Sequence, residues 1–164
     1  MNGIASNATP LIYLAKTGKL DLLKKTFGVV FIPQEVKIEV VDKGKQLDQK
    51  DAYIIEAAIT EGWLKVQNTK PIKIPIKLEQ GENATLALAK NLGLKEVLID
   101  EVSARTAARL MNLKPRGTIY VLLKALEKSE VELNEFLETL NSLIEQGFRL
   151  KEEVYLEAVK KQEK

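Results

Sequence analysis

Two short runs constrain this chain more than anything else in it. Val29-Val30-Phe31-Ile32 is closed by Pro33, and Glu96-Val97-Leu98-Ile99 is followed by Asp100 and Glu101. Each is apolar through its centre without alternating, which is the pattern of a strand buried on both faces. Such strands belong to parallel sheets, whose connections are long enough to hold a helix. The intervening sequence supplies helices. Gly3–Ser6 reads as a first strand. Pro10–Lys16 reads as a short helix capped by Thr9, with Pro10 in its first turn, and Gly18 ends it. A second helix follows over Leu20–Phe27. Pro33 opens another to about Asp42, and Asp48–Glu61 forms one stopped by Gly62. Trp63–Gln67 alternates as a strand, and 68–79, holding Pro71 and Pro75, is an extended loop. Helices are expected over Gln80–Asn91, Ser103–Met111 and Gly117–Lys128, with a short edge strand at Leu113–Pro115. Two last helices are expected over 131–145 and 151–161.

Strands alternating with helices give a three-layer α/β/α domain around a parallel sheet of four to five strands, with right-handed crossovers. Residues 1–128 carry the α/β body, and 129–164 carry helices packed on the same domain. Leu133, Phe136, Leu137, Leu140 and Ile144 form one apolar stripe. It is read as completing the core, with a homodimer face as the second option.

The chain has 164 residues, one domain's worth, and 45% of them are hydrophobic, enough for a proper core. No apolar run approaches the roughly 20 residues that span a bilayer, and no signal segment is evident. The expectation is a soluble cytoplasmic protein with no membrane partner. Cysteine and histidine are absent altogether. Disulfides, Cys/His zinc sites and imidazole-dependent triads are therefore excluded. A metal would have to be held by oxygen, which favours Mg²⁺ or Mn²⁺. The net charge of +2 says little about partners.

In open α/β sheets ligands bind beyond the carboxyl ends of the strands. Asn7 ends strand one, Glu82 lies in the first turn of its helix, and Asp100 and Glu101 follow a buried strand. Each also has a plain structural reading. Glu82 complements a helix dipole, Asp100 is an N-cap, and Asn7 is a cap or an Asx-turn. Glu35 and Glu39, four apart, share a solvated helix face, with Val36 and Val40 turned inward. Helix geometry alone leaves Glu39 nearly two turns from the helix start, away from the others. A flavodoxin-like phosphate-binding regulator is disfavoured, because no glycine-rich loop follows strand one.

The stretches SNATPLIYLAK (6–16), FIPQEVKIEV (31–40), LEQGENATLALAKNLG (78–93), EVLIDEVSAR (96–105) and RGTIYVLLKA (116–125) occur in an order that resembles PIN-domain proteins, most closely a prokaryotic PIN-like subfamily. The last forty residues match only loosely. The resemblance implies a parallel sheet with an acidic pocket at its carboxyl edge. It also implies Mg²⁺- or Mn²⁺-dependent ribonuclease activity, of the kind found in toxins of toxin–antitoxin pairs. The family pattern begins Asp-Thr-Ser; here that place reads Asn7-Ala8-Thr9. Thr9 falls where the supporting hydroxyl stands and Asn7 where the first acid should be. Glu39 matches the second acid, in a Pro33-x-x-Val36-x-x-Glu39 context, and Glu82 the third. Asp100 approximates the fourth, with Glu101 able to share its role.

On that resemblance, phosphodiester hydrolysis would use Glu39, Glu82 and Asp100 as catalytic carboxylates. The metal ligands would come from Asn7, Glu39, Glu82, Asp100 and Glu101. Substrate contacts would come from Thr9, Lys73, Lys77, Arg105 and Arg109. Lysines 65, 70, 73 and 77 fall in a segment without an acid, and Arg105 and Arg109 follow Asp100 at helical spacing. Their plain reading is a solvated surface. Tyr13, Trp63 and Tyr120 are the aromatics available to stack on bases, with packing as the alternative. RNA is the implied partner, with an antitoxin protein and a second copy of the chain as further ones. An amide at position 7 supplies no negative charge. The alternative is therefore a catalytically impaired module that binds nucleic acid or protein.

Overall fold

A computed structural model describes residues 2–151 and Leu156. Five parallel strands form one sheet in the order β3-β2-β1-β4-β5. They are β1 (Ile4–Ser6), β2 (Val30–Pro33), β3 (Leu64–Gln67), β4 (Glu96–Leu98) and β5 (Lys114–Arg116). The central strand pairs Ile4 with Val30 on one side and Ala5 with Val97 on the other. β1 has only three residues, yet all of them are fully buried.

The period-two geometry of the strands separates the core into two layers. Ile4, Ile32 and Leu98 join the apolar cluster beneath α1 (Ala8–Lys16), α2 (Asp21–Phe27), α5 (Lys50–Glu61), α8 (Thr118–Glu127) and α9 (Leu133–Glu145). Their neighbours Ala5, Phe31, Val97 and Ile99 point the other way, into the cluster with α6 (Gln80–Leu92) and α7 (Val102–Leu110). The architecture is thus the three-layer α/β/α arrangement that the buried strands require. Entry to β1 depends on Gly3, at φ +123°, where a Cβ would lie 2.7 Å from the Val29 carbonyl oxygen.

The differences from the sequence reading have local causes. α1 starts at Ala8 with Asn7 in the capping position, and Thr9 lies inside the helix. The Asn7 backbone N–H is held by the Leu98 carbonyl at 3.0 Å, so the sheet sets where the turn begins. The helix expected to end near Asp42 continues to Gln46 as α3 (Gln34–Lys37), a π-helical turn (Ile38–Asp42) and α4 (Lys43–Gln46). An ion pair from Lys37 Nζ to Asp42 Oδ1, 2.8 Å, spans the wide turn. β5 is displaced by one residue and carries Pro115, which is tolerated at a sheet edge.

The apolar stripe of α9 is split. Phe136 is buried and Leu140 partly so, whereas Leu133, Leu137 and Ile144 are about half exposed. Leu143 fills the core instead, at 0% exposure. The helix expected over 151–161 lies outside the described residues, apart from Lys151 and Leu156.

Candidate active site

The carboxyl edge of the sheet collects four glutamates and one amide. Asn7 follows β1, and Glu101 stands two residues beyond Ile99, at the N-cap of α7. Glu79 and Glu82 occupy the N-cap and third positions of α6. They close a reciprocal capping box in which the Glu79 backbone N–H donates to Glu82 Oε1 at 3.1 Å. The dipole reading of Glu82 is therefore realised as a cap, and the same side chain faces the acidic group.

Thr9 Oγ1 donates to Glu101 Oε1 at 2.9 Å, and Asn7 Nδ2 makes a longer contact of 3.5 Å to Glu101 Oε2. Glu101 is thereby fixed by the two polar residues at the start of α1. A carboxylate at position 7 would meet Glu101 with like charge; the amide meets it with a donor. Asn7 makes no side-chain cap to its own helix, so the capping reading does not hold.

Glu39 joins this edge, contrary to its expected place on a solvated face below it. The decisive position is Gly81. A Cβ there would lie 3.5 Å from Asn7 Oδ1 and 3.8 Å from Glu39 Oε1, so both oxygens border the same point of α6. Thr85 Oγ1 ties this turn down, donating to the Gly81 carbonyl at 2.8 Å and reaching Ser6 O at 3.5 Å.

Protonation reports the crowding. Glu39 is raised above the ordinary carboxylate range, first by partial burial and then by Glu79 and Glu101, with Lys43 opposing. Glu82 is raised by burial and by Glu101, Glu79 and Glu39, against the Glu79 N–H bond. Glu79 belongs to this group and is absent from the sequence prediction. The Glu-x-x-Glu spacing before an apolar helix was its only signal.

Asp100 has a partner of its own. It accepts the Thr118 backbone N–H on Oδ1 at 2.9 Å and the Thr118 hydroxyl on Oδ2 at 2.7 Å. It therefore holds the start of α8 and does not cap α7. Burial pushes it up to about 6, with the Thr118 bonds and Arg105 opposing and Glu101 adding. Both oxygens are engaged by Thr118, and Asp100 lines an opening together with Thr9 and Glu101.

Arg105 is 3% exposed, and its guanidinium donates to the Ile99 carbonyl at 2.9 Å. This bond ties α7 back to the end of β4. Arg109, Lys73 and Lys77 lie at the surface. Lys77 lines an opening of about 530 Å³ together with Glu79, Glu82 and Glu101. Trp63 is buried, Tyr13 packs edge-on against Phe148, and the Arg116 guanidinium covers Tyr120. All three aromatics are engaged in packing.

Residues 3–164 match the family described as a PIN domain. The chain belongs to the PIN-domain family. No curated protein matches it. A PIN domain is of nuclease type, binds nucleic acid and generally uses divalent metal ions. In this PIN domain no described helix is long and apolar enough to cross a membrane.

The acidic group suits a hard cation, because four carboxylates and the Asn7 amide offer oxygen there. Among the described residues, however, no three acidic side chains are already gathered into a coordination set. The residues fit the group by chemistry and position along the edge.

Proposed function

We propose that this PIN domain is a divalent-metal-dependent ribonuclease, of the kind that serves as a toxin beside a protein antitoxin, and that Mg²⁺ or Mn²⁺ is its ion. One observation carries the reading. Glu39, Glu79, Glu82 and Glu101 come from three separated parts of the chain to one sheet edge, where Glu39 and Glu82 are raised first by desolvation and then by the neighbouring carboxylates. Carboxylates brought close together repel, and a bound cation would relieve that repulsion.

Glu39, Glu82 and Glu101 would hold the ion, with the Asn7 amide oxygen as a neutral ligand. Asp100 serves beside them, positioning Glu101 and α8. When bound, such an ion supplies Lewis-acid stabilisation of phosphate charge and a lowered pKa for water. Thr9 keeps Glu101 oriented, as outer hydrogen bonds do for ligating carboxylates. Lys77 and Lys73 hold backbone phosphates beside the acids. With no histidine in the chain, a carboxylate or solvent would have to take up the proton of the attacking water. The half-exposed Leu133, Leu137 and Ile144 on α9 are the face through which a homodimer would form.

A second reading is favoured by Asn7: a module that binds nucleic acid or protein without cleaving. The Asn7 contact to Glu101 gives the amide a structural use that an acid could not have. The two readings separate on labelled single-stranded RNA with and without Mn²⁺, using Glu82→Gln as control. Cleavage by the parent protein, abolished in the variant, supports the nuclease. RNA binding with no Mn²⁺-dependent cleavage removes it and leaves the binding module.

A further inference from the structure

Beside the acidic edge lies a larger groove of about 740 Å³, between the loop of residues 68–79 and the outer face of α6. Its volume is that of a site for a small organic group. Ile72, Ile74, Ile76 and Pro75 form an apolar wall, while Gln80 and Asn83 bring amides to the other side. Lys77 and Leu78 line both this groove and the acidic opening, so the two are continuous. Asn83 follows Glu82 directly in the first turn of α6. One turn of helix therefore points a carboxylate at the acidic edge and an amide at the groove. The Asn83 Nδ2 group donates to the Leu78 carbonyl at 3.4 Å, and its Oδ1 is buried with no donor. The loop that roofs the groove carries exposed Lys70, Lys73 and Lys77 and has no acid between Thr69 and Leu78.

We propose that this groove is a base-binding subsite for single-stranded RNA, next to the scissile phosphate. The proposal rests on the ribonuclease reading and adds to it the place where sequence preference arises. A flat, apolar-faced heterocycle fits between isoleucine and proline walls without needing an aromatic partner. Amide groups such as Asn83 and Gln80 pair with the hydrogen-bonding edge of a base, as such side chains do elsewhere. The orphaned Asn83 Oδ1 lacks an N–H donor, which every base edge can supply once the loop parts to admit it. Lys77 and Glu35 are the charged residues that line the groove itself, and exposed Lys70 and Lys73 on the loop tip the balance to positive, so phosphates on either side of the seated base would meet Lys73 and Lys77.

The test uses the intact protein and a single-stranded RNA carrying photoreactive thiouridine, irradiated in EDTA so that binding is read without cleavage. Cross-links are expected within residues 69–87. Asn83→Ala and Ile74→Ala, each confirmed as folded by circular dichroism, should lower that cross-link yield and weaken RNA binding roughly three- to tenfold. Cross-links confined to other parts of the chain, or binding unchanged in both variants, would overturn the subsite and leave the groove to a protein segment. A parallel incubation with Mn²⁺ separates the two proposals. Groove cross-links without cleavage keep the subsite and remove the nuclease; cleavage without groove cross-links does the reverse.

Discussion

Thr118 binds Asp100 twice, its backbone N–H to Oδ1 at 2.9 Å and its hydroxyl to Oδ2 at 2.7 Å. A buried carboxylate thus fixes the first turn of α8 against the end of β4. The hydrogen bonds do not repay its desolvation in full, because the pKa still stands at about 6 against 3.8 for a free aspartate. A folded value above the unfolded one means that the native state holds the proton more tightly. The stability contributed by Asp100 is therefore complete below about pH 4 and is lost as pH rises through about 6, by about 3 kcal/mol in all. Glu39 and Glu82 are raised too and act in the same direction. Urea unfolding between pH 4 and pH 7.5 should show a stability profile that falls with pH, and Asp100→Asn should flatten it. Parallel profiles for the two proteins would contradict the account.

Glu82→Gln separates the two uses of that side chain. Glutamine keeps the oxygen that accepts the Glu79 N–H, so the cap survives and stability should stay within about 1 kcal/mol of the parent. The lost charge should lower Mn²⁺-dependent cleavage on the order of 100-fold or more. Thermal melts without metal and RNA cleavage with it measure the two effects side by side.

Asn7→Asp tests the amide directly. Without a divalent ion the new carboxylate faces Glu101 across the present Asn7 contact, and the fold should weaken by about 1 kcal/mol. With Mn²⁺ the sign reverses. The variant should bind the ion about tenfold more tightly by calorimetry and cleave faster. An ion at 100 times its dissociation constant should add about 2.7 kcal/mol of stability, and chelation should remove it. A variant that is destabilised equally with and without Mn²⁺ would place no ion at this edge.

Arg105 and Lys77 should behave oppositely. Arg105→Met removes a buried bond to the Ile99 carbonyl, so it should cost about 1–3 kcal/mol of stability while the folded protein binds RNA as before. Lys77→Ala, at an exposed position, should leave the melting temperature unchanged, weaken RNA binding and reduce the salt dependence by about 0.7 in slope. Binding isotherms at several salt concentrations distinguish them.

The pattern of apolar runs determined much on its own. Val30–Ile32 and Val97–Ile99 can be satisfied only inside a sheet covered on both faces, so the parallel three-layer fold followed from composition and spacing. Asn7, Glu82 and Glu101 could be placed at the carboxyl edge of the sheet for the same reason, since strand ends and helix starts meet there. What one-dimensional spacing could not give was the direction of side chains. Glu39 reaches the edge beside Gly81, on a helix that carries a π-turn which an ideal helix template cannot anticipate. Asp100 and Glu101 are adjacent in sequence, yet one turns to Thr118 and the other to Thr9. Helical spacing put Arg105 after Asp100 but not its side chain inside the fold, where it donates to the Ile99 carbonyl. Strand identity depends on many residues at once and is therefore legible in the chain. The aim of a single polar side chain depends on which partner the folded backbone brings within three ångströms, and only the tertiary structure decides that.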